Sequence, residues 1–424
     1  MKIIELFAGV GGFRAGFENA SKRFETVLAN QWEPGTKVQH AANVYRKQFG
    51  DDVLVNEDLN VLLENNYSFP DHDLLVGGFP CQDFSVANTL SRSKGLEGTK
   101  GNLWYAIAEL IKRKEPKYCL FENVNRLLLS PALERGRDFA YMLTTLNDMN
   151  YAVEWMVIDA SAYGFPQKRK RVFFICFKEG TPEYEELKNN SSSVLRRAFP
   201  FEKKELLNIK HSFPKGNFLG SGTPVDVLKN FNPAPRKTKS AYKYNSPKKF
   251  FQYGTCIDRE YDTCDIIPTY NGSYTLLGDI VVRDAVPKEF YVDNKALEAW
   301  KAEKGGYTRT RTTKDGFTYD ISFGKMDLYD GLDEPSRTII TAEGGNSASR
   351  MKHLIQTANG KSRRLVPLEL ERLNMFPDNF TSIGLKESGE EYQVLDTRRA
   401  FLMGNAMVTG IVSKIGKELQ LKRL

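Results

Sequence analysis

Cysteine and histidine are scarce in this chain. Its 424 residues include five cysteines, at 81, 119, 176, 256 and 264, and four histidines, at 40, 72, 211 and 353. No two cysteines are spaced CxxC, and no histidine stands near a cysteine at ligand spacing. That argues against a disulfide framework and against a zinc site, so no metal is expected. Long apolar runs are missing too. No stretch approaches the roughly 20 residues of a membrane span, and no membrane association is expected. The opening "MKIIELFAG" lacks the basic region, long apolar core and cleavage site of an export signal, so a cytoplasmic location is expected. There is no strong charge of one sign: 60 basic against 53 acidic residues leave +7, a mild lean towards a polyanionic partner. Internal repeats and long low-complexity tracts are absent.

What is present is an alternation. "IIELFA", "TVLAN", "DLLVGG", "YCLFEN", "AVEWMVI" and "RVFFICF" are apolar runs of strand length. Amphipathic stretches such as "WYAIAELIKRK" and "DFAYMLTTLNDM" lie between several of them. Strand alternating with helix predicts an α/β fold with a doubly wound, mostly parallel sheet over residues 1–178. Residues 179–361 are rich in Pro, Gly, Asn, Lys and Tyr and read as a smaller, irregular, β-rich domain. Residues 362–424 form a C-terminal segment. It starts helically at "RRLVPLELERLNMFP", ends in "TRRAFLMGNAMVTGIVSKIGKELQ", read as one strong helix, and returns to the first domain. A monomer is expected. Charge is uneven within the middle region. Residues 227–257 hold seven Lys or Arg and no acid, with Phe231, Tyr242, Tyr244, Phe250, Phe251 and Tyr253 interleaved.

Three strand ends carry candidate chemistry. In an open α/β sheet, ligands bind in the crevice at the carboxyl ends of the strands. "LFAGVGGF" sets Gly9, Gly11 and Gly12 after the first strand, where glycine permits a tight turn and a close approach to a ligand. A nicotinamide-type fingerprint would want a glycine at position 14, which is Arg14, so a different nucleotide-like ligand is indicated. "GGFPCQDFS" puts Cys81 at another strand end among polar residues, a setting for a reactive thiolate rather than a core cysteine. "FENV" puts Glu122 at the next strand end. Nucleophile and proton donor on one sheet edge suggest a catalytic pair. "FPQKRKRVFF" sets Gln167, Arg169 and Arg171 at alternate positions, an arrangement that points three polar side chains to one side of a strand.

With these residues in place the chain resembles the C5-cytosine-specific DNA methyltransferases of restriction–modification systems. "FAGVGG", "PCQDFS", "FENV", "QKRKR", "RRLVPLELERLNMFP" and "GNAMV" occur in that family's order. The resemblance covers residues 1 to about 178 and 362–424 closely. In between, only "SRTIITAEGG" looks familiar, where Thr338–Ile339 resembles the Thr–Leu pair that ends the target-recognition region of relatives. It implies a sheet of the S-adenosylmethionine-dependent methyltransferase type, with S-adenosylmethionine as methyl donor. The implied cofactor pocket comprises Phe7, Ala8, Gly9, Val10, Gly11 and Gly12, with Gln31 and Trp32, Asp58 and Leu59, Pro80, Leu103, Asn405 and Met407.

The resemblance also implies a reaction. Cys81 adds to C6 of a cytosine flipped out of double-stranded DNA, Glu122 bonds or protonates N3, and Arg169 and Arg171 hold O2 and a phosphate while Gln167 braces them. Gln82, Ser85, Arg236, Lys237, Lys239 and Thr338 are the implied DNA contacts, and a restriction endonuclease acting on the same site is the implied partner. Relatives commonly carry an acid where this chain has Gln31, which would contact the cofactor ribose without charge assistance. A tRNA cytosine-5 methyltransferase and a catalytically dead DNA-binding protein are the rival readings. The long middle region favours duplex DNA, and the presence of both Cys81 and Glu122 favours an active enzyme.

Overall fold

The computed structural model of the protein describes residues 1–80, 102–131, 134–189, 193–204, 211–213, 228, 231–232, 248–283, 286–312, 316 and 318–421. Twelve strands are met in order up to residue 264: β1 (Lys2–Leu6), β2 (Glu25–Asn30), β3 (Leu54–Val55), β4 (Leu74–Gly77), β5 (Tyr118–Val124), β6 (Tyr151–Asp159), β7 (Gln167–Lys168), β8 (Lys170–Lys178), β9 (Phe201–Lys203), β10 (His211–Ser212), β11 (Tyr253–Ile257) and β12 (Glu260–Cys264). All but β7 and β9 join one ten-stranded sheet, ordered β10-β12-β11-β6-β8-β5-β4-β1-β2-β3. The run from β3 to β5 is parallel throughout. β8 is inserted antiparallel between β5 and β6.

Parallel neighbours need crossovers, and helices supply them. These are α1 (Gly12–Ala20), α2 (His40–Phe49), α3 (Leu59–Glu64), α4 (Asn102–Lys114) and α5 (Arg137–Asp148). The chain winds outward from β1 to β3 and then returns to β4 on the other side of β1. That reversal opens a crevice between the carboxyl ends of β1 and β4.

The central strands read as unbroken apolar runs because both faces of the sheet are covered. Along β8, Val172, Phe174 and Cys176 enter one core, while Phe173, Ile175 and Phe177 enter the other. The first core holds the apolar faces of α4 and α5. The second holds α1 together with the helix Thr409–Leu421. The two approach closely at Gly16, where a Cβ would stand 2.5 Å from the Val412 side chain.

Part of the stretch expected as a second domain extends this sheet. β11 pairs antiparallel with β6, and β12 with β11. The aromatics at the end of the basic stretch therefore serve the core. Phe250 is fully buried, with its ring centroid 5.1 Å from Phe139 and 5.7 Å from Trp155, and Tyr253 packs on Phe201 at 4.6 Å. The single C-terminal helix expected is two, Asp396–Asn405 and Thr409–Leu421. Ala406 is extended at the break, and the Thr409 N–H and hydroxyl both donate to the Asn374 carbonyl, which pins the kink to the end of the helix Pro367–Leu373. Among the described residues no helix is long and apolar enough to cross a membrane.

Candidate active site

The turn after β1 is left-handed at three positions, Phe7 (φ 53°), Gly9 (φ 58°) and Gly11 (φ 90°). Gly11 caps α1, and a Cβ there would stand 2.4 Å from the Phe49 ring. A Cβ at Gly9 would meet nothing within 4 Å among the described residues, so this part of the turn is open on their side. The Gly9 N–H donates to Gln31 Oε1 at 2.6 Å, which ties the turn to the end of β2. Among the described residues no hydrogen bond is made by the Gln31 amide NH2. Trp32, next in the chain, is 38% exposed. Asp58 caps α3, with Oδ1 accepting from Asn60 N at 2.8 Å, and Leu59 turns into the core. Glu5 is a residue the sequence reading passed over. It is fully buried in β1, and its Oε1 accepts from Phe13 N at 3.1 Å and from Arg14 N at 3.4 Å, the first turn of α1. Burial pushes its carboxyl up to about 8 despite those N–H groups.

The end of β4 meets the end of β5. A Cβ at Gly78 would lie 3.3 Å from Glu122 Oε2 and 3.7 Å from Met407 Cε, so glycine is what lets these groups converge. Asn123 Nδ2 donates to the Phe79 carbonyl at 3.0 Å and fixes the path towards Pro80, which is exposed. Glu122 Oε1 stands 3.0 Å from Arg171 Nε. Burial raises the Glu122 carboxyl above its ordinary value, with Arg171 and Arg169 pulling the other way. Met407 also reaches the glycine turn, since a Cβ at Gly12 would lie 3.3 Å from its Cγ. Leu103 is half-buried in the first turn of α4, and Asn405 is exposed.

The polar comb divides. Arg171 faces Glu122, but Arg169 sits in the single-residue gap between β7 and β8 and turns elsewhere. Its guanidinium donates to the Ile339 carbonyl at 3.4 Å and to the Gly404 carbonyl at 2.9 Å, and the residue is 2% exposed. Burial lowers its pKa to about 9. Gln167 is fully buried and saturated: it donates to Leu373 O and Asn374 Oδ1, at 3.2 and 3.0 Å, and accepts from Ile339 N at 3.0 Å. Ser336–Arg337 pairs parallel with β7, and the Thr338 hydroxyl donates to the Lys168 carbonyl. Gln167 and Arg169 thus fasten the 336–341 segment and the C-terminal helices to this edge of the sheet.

Cys81, Gln82, Ser85, Arg236, Lys237 and Lys239 lie outside the described residues. Of the residues brought together, Phe7–Gly12, Gln31 and Met407 surround the glycine turn, and Gly78, Glu122 and Arg171 form its neighbour. Ala8 and Val10 pack inward at 7% and 3% exposure, so the turn offers its backbone rather than their side chains. Beyond Glu5, the reading missed Asn123 and Asn374. A charged residue inside "IIELF" was the one available signal for Glu5. The other two are ordinary asparagines until the strands are assembled. Among the described residues no cluster of His, Cys, Asp and Glu could hold a metal ion.

Residues 1–421 match the family model described as C-5 cytosine-specific DNA methylase. Type II methyltransferase M.Sau3AI of Staphylococcus aureus is 37% identical over 431 residues, covering 99% of this chain and 95% of that protein. Type II methyltransferase M.NgoBI of Neisseria gonorrhoeae is 38% identical over 183 residues, 43% of this chain and 52% of that one. Among solved structures, the S. pombe Dnmt2 methyltransferase superposes with a TM-score of 0.60 at 13% identity, covering 100% of both chains. The Entamoeba histolytica methyltransferase EhMeth gives 0.56 at 12% identity, covering 100% of this chain and 99% of that one. The two structures share the fold.

Proposed function

The chain belongs to the C-5 cytosine-specific DNA methylase family, and from that premise we propose that it methylates one cytosine of a short duplex site after flipping it out, through a covalent bond from Cys81 to C6. It is a DNA cytosine-5 methyltransferase, and that family and fold imply S-adenosylmethionine as methyl donor. The observation that supports the mechanism is the close approach of the Glu122 carboxylate to Gly78, where an added Cβ would lie 3.3 Å from Oε2, because Cys81 follows Gly78 by only three residues in the chain. On this reading nucleophile and acid serve one base.

The residues around the glycine turn suit the methyl donor. Open space beside Gly9 admits its amino-acid end, the exposed Trp32 offers a face to the adenine, Asp58 has an oxygen left for the adenine amino group, and the Gln31 amide can donate to the ribose. When bound, the donor supplies an electrophilic methyl group to C5. The chain's own residues make C5 able to accept it. The Cys81 thiolate adds to C6, which breaks the ring's aromaticity and pushes electron density to C5. Glu122, whose pKa burial raises, gives a proton to N3 as charge develops there. Arg171, paired with Glu122, is placed to bond O2. Solvent water then takes the C5 proton, the C6–Sγ bond breaks with Cys81 leaving as thiolate, and N3 returns its proton to Glu122, which restores the ring. Arg169 and Gln167 act as positioning residues, holding the 336–341 segment and the cofactor-side helix in register.

A host role follows from the same reading: methylation protects the site from a restriction endonuclease that cleaves it, and the enzyme works as a monomer on double-stranded DNA. The test is direct. Bisulfite sequencing of DNA from cells expressing the protein should reveal one short motif fully methylated. Duplexes with 5-fluorocytosine at that position should trap an adduct stable to denaturation, because fluorine does not leave C5 as a proton does. A methylated motif without any adduct would overturn the covalent step. No methylated cytosine at all would overturn the function.

A further inference from the structure

Residues Tyr307–Thr312 and Thr318–Phe323 form a two-stranded antiparallel ribbon, and among the described residues no further strand pairs with it. An isolated ribbon is marginal in water, so something must hold this one. Its base is clamped: the Arg350 guanidinium lies over Phe323 at 4.7 Å and Tyr307 at 5.6 Å and donates to the Gly324 carbonyl at 2.9 Å. Glu303 adds two tethers, accepting from the Tyr307 hydroxyl at 3.2 Å and pairing with Arg309 at 3.3 Å.

The register sorts the side chains onto two faces. Thr308, Thr310 and Thr312 oppose Ser322, Asp320 and Thr318. That face is internally bonded, Thr308 to Ser322 at 3.0 Å and Thr310 to Asp320 at 2.6 Å. On the other face Tyr307, Arg309 and Arg311 oppose Phe323, Ile321 and Tyr319. Arg309 is spoken for by Glu303. Arg311, exposed on the outer half beside the 40%-exposed Tyr319, has no hydrogen-bond or ion-pair partner among the described residues. The strand Tyr307–Thr312 carries two arginines and no acid. A rigidly based ribbon with a free arginine on one face matches a polyanion with a groove. The DNA major groove, about 12 Å wide, admits a two-stranded β-ribbon, and the arginine fork matches the O6 and N7 acceptors of guanine.

We propose that this ribbon enters the major groove of the substrate and that Arg311 reads a guanine of the target site. The proposal rests on the DNA methyltransferase reading above and makes Arg311 a specificity-determining residue. The experiment takes the site methylated by the wild-type enzyme and measures kcat/KM on duplexes with each other base pair changed in turn. Arg311→Ala should lose about 10- to 100-fold on the unaltered site and become indifferent to one G·C pair. Arg311→Lys, with the charge but without the fork, should keep its salt dependence yet lose discrimination at that same pair. Thr308→Ala, on the opposite face, should match wild type. Calorimetric binding of S-adenosylmethionine should be unchanged in all three. The proposal is overturned if Arg311→Ala keeps the wild-type preference at every pair, if it weakens cognate and scrambled duplexes equally, or if Arg311→Lys discriminates fully. A wild-type enzyme that methylates no duplex defeats the underlying function as well. One that methylates normally while the Arg311 variants remain indistinguishable from it defeats the ribbon alone.

Discussion

The strand-end site and the ribbon handle charge in opposite ways. Around the glycine turn and the end of β5 the ionisable groups are largely buried and committed: Glu5 to the first turn of α1, Glu122 to Arg171 and, from the gap between β7 and β8, Arg169 to two carbonyls. On the ribbon, Arg311 is exposed and has no partner among the described residues. Chemistry on a base needs a carboxyl whose proton affinity is shifted, and only burial shifts it far. Reading a base edge needs a fork that has no better partner at home. The first region therefore tolerates little change, while the second can change without touching the fold.

The severest test of the strand-end site is removal of the proposed nucleophile. Cys81→Ala should abolish methyl transfer while duplex binding persists, since phosphate contacts supply most of the affinity. Turnover near wild type in a radiolabel assay would undo the assignment. Glu122→Gln should lower kcat by about 10²- to 10⁴-fold. Its pH profile sharpens the point. In the proposed mechanism Glu122 acts protonated, so wild-type kcat should fall as pH rises through its raised pKa, and the variant's residual rate should lack that limb.

Arg169→Ala separates positioning from contact. It leaves the Ile339 and Gly404 carbonyls without their donor, at a cost of about 2–4 kcal/mol, read as a lower apparent melting temperature without cofactor or DNA. An unchanged melting temperature with lost activity would return Arg169 to the base. Glu5 predicts a smaller effect that depends on pH. Its folded pKa is raised from 4.5 to about 8, so the folded protein keeps a proton that the unfolded chain releases. Stability from this group is present at acid pH and is lost as pH climbs through that interval. Glu5→Gln should flatten that decline, and a melting curve series with the wild-type slope would rule it out. The smallest effect is expected at Gln31. Gln31→Glu retains the acceptor for Gly9 N and adds charge at the ribose, so cofactor affinity should change by no more than about 1–2 kcal/mol in calorimetry.

Much of the buried half could be read without coordinates. The six strand runs, the glycine turn and the position of Glu122 near a strand end follow from apolar periodicity and from breaks at glycine and proline, which are local properties; Cys81 lies outside the described residues. The comb was half legible. Alternation is a rule for residues inside one strand, and Arg169 falls between two strands, so its direction was set by the carbonyls that segments 339 and 404 bring to it. The C-terminal pattern read as one helix because its apolar spacing hardly changes across "GNAMVT". The break is imposed by Asn374, some 30 residues earlier. Phe250 and Tyr253 show the same limit: an aromatic residue beside lysines looks the same in sequence whether it faces a base or, as these two do, the inside of the fold.

The sequence alone determined the doubly wound sheet and the chemical groups lining its edge, because strand length, turn residues and motif order are written in neighbouring positions. Only the tertiary structure decided which charges are spent on the fold and which remain for a substrate. That division depends on what lies across space from each side chain: a glycine at 78 that lets Glu122 approach, two distant carbonyls that absorb Arg169, and an exposed face on which Arg311 has no partner among the described residues.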